Sequence, residues 1–153
     1  MIFSNLNRVL VTGPHRAGTT IATEIIAEEL GLPAVRESAL AHPRFEGDDE
    51  PKLTVGDVNK MKKGVLQGAT TYRWLPEIAG SFDAIVVVLR SEKDIIASQI
   101  RYRGKQIDRP ESKYLRLSRM VLPVPVVWVS YEKLLSRHPR FVERETWITE
   151  ETS

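Results

Sequence analysis

The sequence contains no cysteine. Disulfides, thiolate zinc sites and cysteine nucleophiles are therefore excluded as its chemistry. It also lacks any apolar run of membrane-spanning length. Its first residues show no basic, apolar, small-residue succession of the secretory kind. The expectation is a cytoplasmic chain with no membrane partner. Charge of one sign is missing too: 22 basic residues stand against 20 acidic ones, a net +2. That balance gives no whole-protein field for nucleic acid, although local arginines remain free to line a pocket. Internal repeats and low-complexity tracts are absent. What is present is ordinary globular material, 42% apolar and 27% charged over 153 residues. This suffices for one packed domain, residues 1–153, and is too short for two comfortable ones.

The most informative stretch is Val9 to Gly31. Val9, Leu10 and Val11 form a short apolar run of the buried-strand type. The glycine-bounded segment Gly13-Pro14-His15-Arg16-Ala17-Gly18 follows, and Thr19-Thr20 opens a helix. Strand, glycine loop and helix in that order make a phosphate cradle. Loop N–H groups converge on the spot that the positive end of the helix dipole faces. The spacing G-x-x-x-x-G-T-T copies the P-loop, but Thr19 stands where that motif has lysine. Arg16 supplies a cation earlier in the loop, and its fork-shaped guanidinium suits two phosphate or sulfate oxygens.

Along the chain, Ile21, Ala22, Ile25, Ile26 and Leu30 recur at helical spacing, with Thr23, Glu24, Glu28 and Glu29 on the other face and Gly31 as a stop. Leu32 to Val35 reads as a brief second strand ending in Arg36-Glu37-Ser38. Residues 39–56, rich in proline, glycine and acids, read as an exposed loop. Val65 to Gln67 is a third strand, followed by a short helix near Leu75 to Ala79. Ala84 to Leu89 is apolar on both faces, as an interior strand of a parallel sheet must be. Ser91-x-x-Asp94 then starts a helix running to about Tyr102. A polar loop from Arg103 to Pro110 leads to a helix over Glu111–Met120. Val124 to Val129 is a last strand, whose Pro125 fits a strand start or an edge. Tyr131 to Ser136 is helical. The alternation predicts an α/β fold, a three-layer sandwich around a parallel sheet of about five strands. In such sheets ligands bind at the carboxyl ends of the strands, where the loop, Glu37, Gln67 and Arg90 all emerge.

A second lack sits at one of those strand ends. Leu89-Arg90 carries arginine where a Walker-type aspartate would hold magnesium. Phosphate binding survives these two replacements; the usual stabilisation of a transferring γ-phosphoryl group does not.

Three segments together resemble the sulfotransferases that use 3′-phosphoadenosine 5′-phosphosulfate. His15-Arg16-Ala17-Gly18-Thr19-Thr20 is similar to their phosphosulfate loop, [PR]-[KR]-S-G-T-T. Arg90 through Asp94 to Ser98 matches the spacing of their R-x-x-x-D-x-x-x-S motif, and Tyr131-Glu132-Lys133-Leu134 stands in place of their Y-E-D-L. The resemblance implies a P-loop NTPase-like fold and that phosphosulfate as co-substrate, with no metal required. It implies donor binding by Gly13, His15, Arg16, Ala17, Gly18, Thr19 and Thr20, and a 3′-phosphate grip by Arg90 and Ser98. A charge-assisted bond of the Arg90 kind contributes about 1.5–3 kcal/mol.

The chain also departs from that family. Gln67-Gly68-Ala69 lies where cytosolic members carry a catalytic histidine, and Ala69 has no proton chemistry. Glu37, placed like the glutamate of polysaccharide sulfotransferases, is the candidate general base, with Arg16 as its catalytic partner on the leaving phosphate. The family's glycine-rich C-terminal loop is not recognisable. The acceptor site is then reduced or completed by a partner, which allows for a homo-oligomer. His42 and His138, each before proline, are expected to face solvent, and Asp48-Asp49-Glu50 to be a hydrated loop. Trp74, Trp128 and Trp147 are expected to be core or partly buried, with one free to flank an adenine.

Three functions compete at this point. The first is sulfuryl transfer from the phosphosulfate to a small hydroxyl or amine acceptor. The second is a small P-loop nucleotide or metabolite kinase using ATP with magnesium, with Arg101, Arg103 and Arg109 as a lid. The third is a non-catalytic nucleotide-binding module.

Overall fold

The computed structural model describes residues 6–14, 16–40, 53–68, 75–107 and 109–138. Five strands form one sheet: β1 (Arg8–Thr12), β2 (Ala34–Arg36), β3 (Gly64–Gln67), β4 (Ala84–Leu89) and β5 (Val126–Ser130). Their spatial order is β2-β3-β1-β4-β5, and every pairing is parallel. In register, Val9 lies between Val65 and Ala84, and Leu10 between Leu66 and Ile85. Parallel neighbours require crossovers, so helices cover both faces, as the alternating sequence predicts.

Strand periodicity divides the core in two. Val9 and Val11 of β1, with Val86 and Val88 of β4, pack against α1 (Thr19–Leu30) and α7 (Tyr131–Arg137). Leu10, Ile85 and Val87 point the other way, onto α3 (Val55–Lys60), α4 (Leu75–Ile78) and α6 (Pro110–Arg119). Two helices remain. The single turn α2 (Glu37–Leu40) follows β2, and α5 (Glu92–Arg103) follows β4. A short 3-10 turn, Ala79–Ser81, extends α4. The result is the expected three-layer α/β/α sandwich.

Most boundaries have a visible cause. Gly31 ends α1 at φ 68, its N–H returning to the Ala27 and Glu28 carbonyls. Ser91 caps α5 by accepting from the Asp94 N–H at 3.2 Å. Pro110 opens α6, where its missing N–H costs nothing. Pro125 sits just before β5, which is an edge strand.

Several expectations need correction. The end of the segment read as an exposed loop caps and begins α3, through a capping box in which Thr54 accepts from Asp57 N–H at 3.2 Å and Asp57 Oδ2 accepts from Thr54 N–H at 3.0 Å. Leu53 and Val58 are fully buried there. Thr23, assigned to the polar face of α1, is buried; its hydroxyl bonds to the Thr19 carbonyl, so burial leaves no orphan donor. Trp128 is 36% exposed, its ring 6.2 Å from that of Tyr114. His138 is not free in solvent but lies 2.9 Å from the Glu29 carboxylate. His42, Asp48, Asp49, Glu50, Ala69, Trp74 and Trp147 fall outside the described residues.

Candidate functional site

The central strand β1 delivers the loop to the carboxyl edge of the sheet. There the Gly68 N–H bonds to the Val11 carbonyl at 2.8 Å, and the Thr12 hydroxyl to the Gly68 carbonyl at 2.7 Å, anchoring the loop's base to the neighbouring chain. Within the loop, the Ala17 N–H closes onto the Pro14 carbonyl at 3.1 Å. Gly18 is the N-cap of α1 in the left-handed region, φ 92, and no side chain caps the helix. The first turn therefore presents uncapped N–H groups to the loop.

Thr19, at the lysine position of a P-loop, is only 4% exposed. It is turned inward with its hydroxyl 3.5 Å from the Gln67 amide nitrogen. Thr20, at the motif's hydroxyl position, accepts from the same Gln67 nitrogen at 2.7 Å. Gln67 thus brackets both hydroxyls at the start of α1.

Cations take the place of the missing lysine. Arg16 adopts φ 66, the only positive φ of a non-glycine among the described residues. Its Nε donates to the Ser98 hydroxyl at 3.0 Å, and its guanidinium carbon lies 3.7 Å from the centre of the Tyr102 ring. Arg90 donates from Nη1 to the Arg16 carbonyl at 2.9 Å and lies 4.6 Å over the Tyr131 ring. The Arg90 backbone is fixed as well. Its N–H donates to the Tyr114 hydroxyl at 3.2 Å, and that hydroxyl donates to the Val88 carbonyl at 2.6 Å. Arg16, Arg90 and Ser98 are thus one cluster over the loop, and neither guanidinium has a carboxylate partner among the described residues. Two guanidiniums without a carboxylate among the described residues, beside uncapped helix N–H groups, have the chemistry to hold an anion with several oxygens.

The other predicted residues divide. Gly13, Ala17, Gly18, Thr19 and Thr20 form the loop and the first turn of α1, whereas His15 lies outside the described residues. Glu37 begins α2 at the end of β2, and β3 stands between β2 and β1. It shares the carboxyl edge with the loop but belongs to the opposite flank from Arg90. Arg101, Arg103 and Arg109 are exposed. Sequence reasoning missed Tyr102, whose signal was its position four residues, one helical turn, beyond Ser98. Tyr131 was noticed only as part of a motif.

The donor set also bears on magnesium. Thr20 is the hydroxyl that a P-loop offers the ion, but it already accepts from Gln67, and the β4 end supplies Arg90. Among the described residues no group of three or more histidines or carboxylates could hold a metal.

No family model matches the chain, and no curated protein matches its sequence. Solved structures do match its fold. A gluconokinase from Sinorhizobium meliloti 1021 is 20% identical over 92% of this chain and 96% of its own, with TM-score 0.50. A sugar kinase from Janibacter sp. HTCC2649 is 16% identical over 90% and 94%, with TM-score 0.55. A shikimate kinase from Acinetobacter baumannii, solved with shikimate, is 17% identical over 95% and 96%, with TM-score 0.54. These neighbours are small kinases and not sulfotransferases, so the sulfotransferase resemblance rests on its motif residues alone. At such identities the likeness speaks for architecture: the chain has the P-loop NTPase-like fold of the small kinases, with a five-stranded parallel sheet in the order 2-3-1-4-5.

Proposed function

We propose that the chain is a small-molecule transferase that holds a nucleotide donor's phosphates in the Gly13–Thr20 loop and passes a phosphoryl-type group to a hydroxyl or amine acceptor. The observation that carries this reading is the pair of guanidiniums, Arg16 and Arg90, joined over a glycine-bounded loop at the carboxyl edge of the sheet. The first form of the reading is a kinase taking ATP, with magnesium arriving on the nucleotide. It is supported by the likeness in fold to small kinases across nearly the whole of both chains. In that form Arg16 neutralises the outer phosphates in place of lysine.

A second form takes 3′-phosphoadenosine 5′-phosphosulfate instead. A specific observation favours it: Thr19 is buried at the lysine position while Arg16, Ser98 and Arg90 sit together, a cation set that suits a second phosphate better than a magnesium chelate. The chemistry is the same in outline. The acceptor heteroatom attacks phosphorus or sulfur, and the bond to the bridging oxygen breaks. The departing nucleotide phosphate takes up charge against Arg16 and the loop N–H groups, and the acceptor's proton passes to Glu37.

Thermal-shift measurements separate the two forms. A ligand at a hundred times its dissociation constant stabilises by about 2.7 kcal/mol. Stabilisation by ATP with magnesium alone selects the kinase. Stabilisation by adenosine 3′,5′-bisphosphate without metal selects the sulfuryl donor. A chain that responds to neither overturns the reading. Under whichever donor turns over, Glu37→Gln lowers kcat by about 100-fold or more; unchanged turnover removes Glu37 as the base.

A further inference from the structure

We propose that Tyr102 and Tyr131 are positioning residues, each ring carrying one of the two guanidiniums on its face so that Arg16 and Arg90 form a preorganised pair before any anion arrives. The proposal rests on the phosphate-site reading above and adds to it the means by which the cations are aimed. The two arginines come from different parts of the fold, a loop after β1 and the end of β4, and long side chains in an open cleft are ordinarily disordered. Here each side chain is held from two directions, and its residue's backbone from a third. Arg16 has Ser98 on its Nε, the Tyr102 ring 3.7 Å below its guanidinium carbon, and Arg90 on its own carbonyl. Arg90 has that carbonyl at 2.9 Å, the Tyr131 ring at 4.6 Å, and Tyr114 on its backbone N–H. Both ring distances lie within the reach of a cation–π attraction, which orients a planar guanidinium while leaving its outer N–H groups free for ligand.

The rings are themselves fixed. Ser98 and Tyr102 lie one turn apart on α5, so a single helix face supplies both contacts to Arg16. Gln99, between them in sequence, is fully buried and accepts from the Ile107 N–H at 2.8 Å, tying the end of α5 down. Tyr131 is 4% exposed and packs against Gly18; a Cβ on Gly18 would stand 2.1 Å from two of its ring carbons. The ring under Arg90 therefore touches the loop that Arg90 braces. The Tyr102 hydroxyl is buried with no hydrogen-bond partner among the described residues, so it is the ring and not the hydroxyl that engages Arg16.

The test measures dissociation constants of ATP and of adenosine 3′,5′-bisphosphate by titration calorimetry, with melting curves to confirm folding. Tyr102→Leu weakens whichever nucleotide the native chain binds by about 3- to 30-fold. Tyr102→Phe restores affinity to within about twofold of native, and Tyr131→Phe does the same. On an Arg16→Ala background, Tyr102→Leu costs less than about twofold, because the group it aims is gone. Three results overturn the proposal: native affinity in Tyr102→Leu, a Tyr102→Phe as weak as Tyr102→Leu, or an undiminished Tyr102→Leu effect without Arg16. A native chain that binds neither nucleotide instead overturns the phosphate-site reading, with the proposal falling alongside it.

Discussion

The two ends of the sheet are built on opposite plans. At the amino end, polar groups are answered locally. Asp83 Oδ2 accepts from the Asn7 and Arg8 N–H groups at 2.8 and 3.0 Å, the Asp83 N–H returns to the Arg8 carbonyl at 2.8 Å, and the Arg8 guanidinium donates to Asn59 at 2.7 Å. The Arg8 and then the Asn7 backbone N–H hold the Asp83 carboxyl below its ordinary value, against a smaller opposing effect of burial. At the carboxyl end the accounts stay open. Helix α1 starts without a side-chain cap, Arg16 takes a left-handed backbone, and two guanidiniums lack carboxylates among the described residues. Among the described residues, one edge is satisfied by the chain itself, whereas the other leaves donors that the proposed anion would take up.

That contrast is breakable. The largest effect belongs to Gly18→Ala. The new methyl meets the Tyr131 ring in a left-handed residue, so urea unfolding should show a loss of about 2–5 kcal/mol, with anion binding lost as well. Arg90→Ala comes next. It removes a charged bond to the Arg16 carbonyl, and calorimetry should show nucleotide affinity about 10- to 100-fold weaker. A loss confined to adenosine 3′,5′-bisphosphate would assign Arg90 to the extra phosphate, whereas equal loss with adenosine 5′-phosphate would assign it to bracing the loop. Gln67→Ala unties Thr20 and should weaken affinity by about 2- to 10-fold.

Asp83→Asn sharpens the contrast from the other side, with the smallest effect. A carboxyl whose folded pKa is depressed adds stability above its unfolded pKa and loses it as pH falls through the folded value. The variant should therefore melt slightly lower than native at pH 7, and the gap should close below the ordinary aspartate value of 3.8. Nucleotide affinity should not move, since the group stands at the far edge.

The sheet was legible because its signals are local. Val9 to Val11 and Ala84 to Leu89 declare interior strands by apolarity on both faces, and Gly31, Ser91 and Pro110 mark helix limits by backbone chemistry. Helix α3 was not legible. Its polar composition hides a core contact made by Val58, with Leu53 buried just before the cap. The site was half readable. Spacing placed Arg16, Arg90 and Ser98 on one edge, but nothing in spacing shows that Arg90 reaches the backbone of Arg16 or that a guanidinium rests on Tyr102. Those facts depend on side-chain direction across distant segments, as does the inward turn of Thr19. The motif residues resemble those of sulfuryl-transfer enzymes, while the likeness in fold is to small kinases.

The seat of Tyr131 on Gly18 has a consequence for how the molecule assembles. A residue of α7 completes the loop after β1, so on the proposed reading the grip closes only when these two distant segments have come together. Affinity for the proposed anion would then report on that long-range packing, and a chain in which α7 has not docked would carry the loop sequence without the Tyr131 contact.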